Sequence, residues 1–296
     1  KQRPEGGWLW KISGNGLSHP SYLFGTYHGT YDILYQYTDS IPELHQAFNA
    51  CSQFAGESET TSKPTPAQVG AAIKLPKDTT YADLLNKEDF HFLDSIVRQS
   101  LKSPLNKVYI KPNFLALILG EIEKGKKLVD TGYSQSRIDS MKSQVMDIAL
   151  EKKAKEKGLT IVGLEGIFDA FVSEKSNLKK EADELISDLR EDDEISPLSF
   201  VNTLSDVYRT QNMKSLIDFE VKVDSIFRTS PKLTEIGKRI REDLLKRRNL
   251  NWMNKIPELM KAQPTFIAVG VRHLPGKDGL IALLLEKGYQ VEPIGL

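Results

Sequence analysis

The sequence predicts an α/β fold: a mixed central β-sheet built from both chain ends and one middle strand, flanked by helices, with a large helical middle region. Three observations predict it. Short apolar runs rich in aromatic and β-branched residues lie near the two ends, each closed by glycine or a polar turn. Between about residues 65 and 250, apolar residues recur instead at three- and four-residue spacings, the period of a helix face. Within that stretch one run, Leu159-Thr160-Ile161-Val162-Gly163-Leu164-Glu165, has the composition of a strand ending in an acid.

Taken in order, Trp8-Leu9-Trp10-Lys11-Ile12 is the first strand, because aromatic and branched side chains suit a pleated, half-buried surface. Gly14-Asn15-Gly16 follows as a turn, and Ser21-Tyr22-Leu23-Phe24, closed by Gly25, is the second strand. Ser40 and Glu43 have capping-box spacing, and Pro42 suits a first helical turn, where its missing N–H costs nothing. The helix they start runs through Leu44, Ala47 and Phe48. Gln53-Phe54-Ala55-Gly56-Glu57 then reads as a buried strand whose end carries a carboxylate.

In the middle, Leu84, Leu85, Phe92, Ile96 and Leu101 mark one apolar stripe, and Phe114, Leu117, Ile118 and Ile122 mark another. Lys157-Gly158 closes a helix ahead of the middle strand. Leu233, Ile236, Ile240 and Leu244 outline a further long helix. Thr265-Phe266-Ile267-Ala268-Val269 is a compact buried strand, followed by a helix over 280–287, stopped by Gly288, and a last strand at Tyr289-Gln290-Val291-Glu292. Strand, helix and strand at this spacing form a right-handed crossover of a parallel sheet. Leu23-Phe24, Phe54-Ala55, Ile161-Val162 and Ile267-Ala268 are all expected inside the sheet. The chain reads as a single domain, with sheet halves at about 1–64 and 251–296 and the helical middle, including the strand near 159–165, between them.

Composition excludes several classes. Of 296 residues 27% are charged and 40% hydrophobic, a globular balance. Forty basic and forty acidic residues cancel, so no global charge draws the chain to nucleic acid or to an acidic membrane. No apolar run approaches the ~18 residues of a spanning helix. The single cysteine, Cys51, excludes an intramolecular disulfide framework and a cysteine-rich zinc site. The chain starts at Lys1 with a polar, glycine-rich segment to Gly7, the expected appearance of a processed precursor. Export is the corresponding expectation: periplasmic, secreted or lipid-anchored after signal removal. A trimmed chain would look the same, and the oligomeric state is not legible.

Two segments echo each other. Gly25-Thr26-Tyr27-His28 and Gly270-Val271-Arg272-His273 both place G-x-x-H directly after an apolar strand. Residues just past strand ends occupy the carboxyl edge of an α/β sheet, where ligand sites form. Glu57 and Glu165 also end strand-like runs and could reach the same rim. Two imidazoles and a carboxylate are a common first shell for zinc, manganese or iron. Spacing alone leaves the competing reading open, in which these are ordinary packed or solvent-facing side chains. His19, His45 and His91 look ordinary.

The order of motifs resembles the TraB/GumN/Tiki proteins. Tyr22-Leu23-Phe24-Gly25-Thr26-Tyr27-His28, after a tryptophan-containing strand, is similar to the family's opening "YLFGTxH". Gly163-Leu164-Glu165 matches a central "GLE" strand, and Arg248-Asn249 with Trp252 and Ile256 an "RNxxWxxxI" element. The segment from Phe266 through Gly270, His273 and Gly276 to Gly279-Leu280, with Gly288-Tyr289-Gln290-Val291, resembles the closing "AVGxxHLxGxxGL…GYxV" block. The resemblance implies a Tiki-like, erythromycin-esterase-like fold and a metal-dependent protease. It implies His28, Glu57 and His273 as metal ligands for a divalent ion, with manganese, cobalt and zinc all admissible. Where the family has "E-x-D", this chain has Glu57-Ser58-Glu59, so Glu59 stands with Glu165 as a candidate general base. Arg248 and Asn249 are expected to face the site and bind a developing oxyanion or a substrate carboxylate. The expected partner is a peptide or protein substrate. Two alternatives stay open: an esterase-like hydrolase, and a protein that binds peptide or haem without turnover.

Overall fold

The computed structural model describes residues 6–27, 42–59, 64–130, 132–134, 136, 145–169, 177–190 and 204–295. The chain divides into two compact units. One comprises Lys1–Ser62, Met141–Ile167 and Ser196–Leu296, and the other Lys63–Ser140 and Phe168–Ile195. The strands all belong to the first unit, so the helical middle is shared between the two.

The sheet has six strands: β1 (Leu9–Ser13), β2 (Ser21–Thr26), β3 (Gln53–Gly56), β4 (Thr160–Gly163), β5 (Thr265–Gly270) and β6 (Gln290–Pro293). Their spatial order is β4-β3-β5-β2-β1-β6. β4, β3, β5 and β2 run parallel to one another, while β1 is antiparallel to both β2 and β6. Both chain ends and the middle therefore supply strands, as expected. The crossover from β5 through the helix Leu280–Glu286 passes β2 and β1 to reach β6, three positions along the sheet, where β6 pairs with β1 rather than with a parallel neighbour.

Position in the sheet explains the burial. β3 and β5 are flanked on both sides, and Phe54, Ala55, Ile267 and Ala268 are buried with Leu23 and Phe24 of β2. Apolar runs without alternation suit strands covered on both faces. Phe54 stacks on Phe266, and Phe48 from the helix Pro42–Asn49 meets Phe266 edge-on at 5.1 Å. Ile161 and Val162, expected inside, are only half-buried because β4 is an edge strand.

Two other expectations fail on helix phase. The stripe of the helix Pro112–Asp130 runs through buried Leu115 and Leu119, so Leu117, about 200° round from Leu115, is 43% exposed. The helix Pro231–Arg239 passes into a π-helix, Ile240–Lys246, and then into the short helix Arg247–Trp252. The wider π turn slips the face relative to an α-helix. Leu244 is exposed in consequence, while Arg248, Asn249 and Trp252 are buried.

The second unit packs the helices Tyr81–Leu84, Lys87–Leu101, Pro112–Asp130 and Leu178–Arg190 around its own apolar cluster, including Tyr81, Leu93, Leu105, Leu115 and Leu185. At the start of the helix Lys87–Leu101 the Asn86 side chain caps the backbone by accepting the Asp89 N–H.

Candidate active site

The parallel strands deliver their carboxyl ends to one edge of the sheet in the first unit. Gly56 is in register with Gly163 and with Ala268. Glu57 follows β3 directly. Glu165 follows β4 by two residues and donates its backbone N–H to the Glu57 carbonyl at 2.9 Å. This approach needs Gly163, where an added Cβ would lie 2.9 Å from the Glu59 nitrogen and 3.0 Å from the Glu165 oxygen. β5 ends in a 3-10 turn, Val271–His273, which packs over Gly25 so closely that a Cβ there would stand 2.9 Å from Val271 Cγ2. The glycine of the first G-x-x-H thus makes room for the turn of the second.

Arg248 is the centre of the cluster. Its Nε donates to the Glu165 carboxylate at 2.9 and 3.2 Å, and its Nη2 donates to Glu165 and, at 2.5 Å, to Glu57. Nη1 lies 3.3 Å from His273 Nε2 and 3.4 Å from the Leu244 carbonyl. Burial alone would discourage its charge. Hydrogen bonds donated to Glu165 and the charges of Glu57 and Glu165 outweigh that, and hold the guanidinium above its ordinary pKa.

Trp252, fully buried, lies beneath. Its indole donates to Glu165 at 3.0 Å, its ring carries the Arg248 guanidinium at 4.7 Å, and the His273 ring sits 4.5 Å away. Residues 248, 249 and 252 share one face of a short helix, which is how so few residues hold so much. Glu57 is oriented from two sides, accepting the Gly270 N–H at 2.7 Å through one oxygen and Arg248 through the other. The first of these oxygens is 3.9 Å from His273 Nε2.

The structure therefore brings together Glu57, Glu165, Arg248, Asn249 and His273; His28 lies outside the described residues. Among the described residues no group of three or more His, Cys, Asp or Glu is arranged to hold a metal ion. Three of the residues expected at the site have partners within the protein. Asn249 turns inward: the residue is 2% exposed, and its amide is bonded to the His273 and Asp278 carbonyls and to the His273 ring. Glu165, a candidate base from sequence, accepts hydrogen bonds from Arg248 and Trp252. Glu59 turns to Lys155, 3.9 Å away, at a half-exposed position. Trp252 and the Gly270 N–H were not foreseen as site groups, nor was the pairing of Arg272 with Glu220 at 2.6 and 2.8 Å, which braces the His273 turn. The signal for Trp252 was its four-residue spacing from Arg248; a backbone donor leaves no mark in a sequence.

A family model, TraB/PrgY/gumN, matches residues 8–293, nearly the whole chain. The chain belongs to the TraB/PrgY/gumN family. Comparison with curated proteins and with solved structures finds no match. In this TraB/PrgY/gumN chain, no described helix is long and apolar enough to cross a membrane.

Proposed function

We propose that this TraB/PrgY/gumN protein is a metal-dependent hydrolase, a peptidase acting on peptide or protein segments. The observation that carries the reading is the convergence of Glu57 and His273 beside Arg248 at the carboxyl edge of four parallel strands. Two carboxylates share one guanidinium there, Glu57 and Glu165 with Arg248. The donor chemistry suits a divalent ion: a carboxylate oxygen and an imidazole nitrogen 3.9 Å apart are within the span of two bonds of roughly 2 Å. Glu57 and His273 would hold the ion, and the family's order of motifs adds His28. Manganese, cobalt and zinc all accept this kind of set. When bound, such an ion activates water and polarises the scissile carbonyl.

The chain's own residues do the rest. Glu165 and Trp252 fix Arg248 in place. The two Nη1 contacts of Arg248 are its longest, at 3.3 and 3.4 Å, so Nη1 is the donor that can turn toward oxygen gaining negative charge. Glu57, clamped by Gly270 and Arg248, presents its carboxylate in one orientation.

A second reading, binding of peptide or another ligand without turnover, is favoured by one feature: all five N–H groups of Arg248 already have partners within the protein. Metal analysis of protein purified without chelators, with turnover on a peptide panel and an ester panel, separates the readings. Bound divalent metal and peptide cleavage, both lost in Glu57→Ala and His273→Ala, are expected. Ester cleavage alone would shift the substrate class, and metal with no turnover would favour the binding protein. Undiminished peptide cleavage after complete chelation would sink the metal-dependent reading.

A further inference from the structure

Asn249 spends its amide entirely within the protein, and its partners settle which end faces where. Its Nδ2 donates to the carbonyls of His273 at 3.2 Å and Asp278 at 2.8 Å. Both are acceptors only, so the oxygen end must be the one facing His273 Nδ1 at 2.7 Å. An amide oxygen cannot donate; the hydrogen of that bond sits on Nδ1. Across the ring, Nη1 of Arg248 stands 3.3 Å from Nε2. A guanidinium has donors only, and an Nε2–H would oppose one of them. The ring therefore meets an acceptor at Nδ1 and a donor at Nε2.

We propose that Asn249 is a positioning residue that fixes His273 as the Nδ1–H tautomer, with the Nε2 lone pair turned toward Glu57 and Arg248. The ring has little freedom to do otherwise: His273 is 4% exposed and lies against Trp252. By gripping the backbone at both 273 and 278, Asn249 also closes the turn that carries the ring. The tautomer assignment stands independently of hydrolysis; its effect on turnover rests on the proposed function.

The test is two-bond ¹H–¹⁵N correlation NMR on chelator-treated, histidine-labelled protein at about pH 8.5, above the ordinary imidazole pKa of about 6.5. His273→Gln identifies the His273 signals. A neutral ring protonated at Nδ1 is expected in the wild type. Asn249→Asp still offers an oxygen to Nδ1 but sets its other oxygen against the His273 and Asp278 carbonyls, so it should loosen the turn and keep the Nδ1–H pattern only in part. Asn249→Ala should move the ring to the Nε2–H form or a mixture, and should lower kcat about 10–100-fold, the usual cost of losing such a support, with KM little changed. An Nε2–H ring in the wild type overturns the proposal, as does an unchanged Nδ1–H ring in Asn249→Ala. Should Asn249→Ala fail to fold, the wild-type spectrum decides, since an Nε2–H ring there overturns the proposal. If the wild type cleaves neither peptides nor esters, the hydrolase reading falls while the spectra still decide the tautomer.

Discussion

Two arginines in this protein make the same local pattern in different surroundings. Arg248, in the sheet-bearing unit, joins Glu57 to Glu165 and lies over Trp252 at 4.7 Å. Arg190, at the end of a helix in the other unit, joins Glu88 to Asp89 and lies over Phe92 at 5.0 Å. One guanidinium, two carboxylates and an aromatic face are common to both. The side chain of Arg248 is 10% exposed and that of Arg190 is 42% exposed. Water can solvate each partner around Arg190 if the pairing breaks, so the pairing carries little free energy. Around Arg248 it cannot, and every charge there depends on its neighbours. The pattern of residue types is therefore no guide to importance; desolvation is.

The largest expected effect is on the buried side of the comparison. Arg248→Ala takes from Glu57 and Glu165 the guanidinium they share, and removing one partner of a buried pair typically costs about 3–5 kcal/mol. Urea unfolding of wild type and variant measures this directly. Arg248→Lys should rescue little, since a single ammonium cannot reproduce the forked donors that Glu165 receives from Nε and Nη2. A loss below about 1 kcal/mol in Arg248→Ala would mean the site is wet enough to behave like the surface, and the comparison would break.

This distinction also marks what a sequence can carry. The buried strands announced themselves, because Phe54-Ala55 and Ile267-Ala268 have no alternation to misread. Glu57 and His273 were legible as members of one site because strand ends and family motifs both pointed to them, and Arg248 because a family motif did. Their roles were not. Whether Asn249 faces a substrate or a histidine ring depends on rotamers and on the carbonyls of His273 and Asp278, and a one-letter code holds neither. Leu244 fails for a related reason: a π turn between Ile240 and Lys246 slips the helix face, and spacing read as an unbroken α-helix cannot anticipate it. Ile161 shows the same limit in the sheet, since strand composition does not say which strand will be the edge.

A middle-sized effect sharpens the comparison by touching only the support. Trp252→Phe keeps an aromatic face under Arg248 but removes the indole N–H that Glu165 accepts at 3.0 Å. A buried acceptor left short of a donor costs about 1–3 kcal/mol. The low end is expected, because Arg248 still donates to both Glu165 oxygens. Hydrolysis, if the proposed function holds, should fall more than stability does, since Arg248 and His273 both rest on that ring. Equal retention of both would place Trp252 among the packing residues.

The smallest effect belongs to Arg190. Arg190→Ala removes contacts to Glu88, 85% exposed, and Asp89, 16% exposed, and should cost about 0–1 kcal/mol. Asp89 is the partner with most to lose, but it also lies in the first turn of the helix Lys87–Leu101, where the backbone favours its charge. Salt supplies an independent check. Raising ionic strength from 0.1 to 1 M shortens the screening length from about 10 to about 3 Å. The Arg190/Asp89 coupling in a double-mutant cycle should shrink toward zero over that range. The Arg248/Glu165 coupling should persist, because ions cannot enter between side chains that are each 10% exposed. A coupling at Arg190 as large and as salt-resistant as that at Arg248 would show that exposure is not what separates the two.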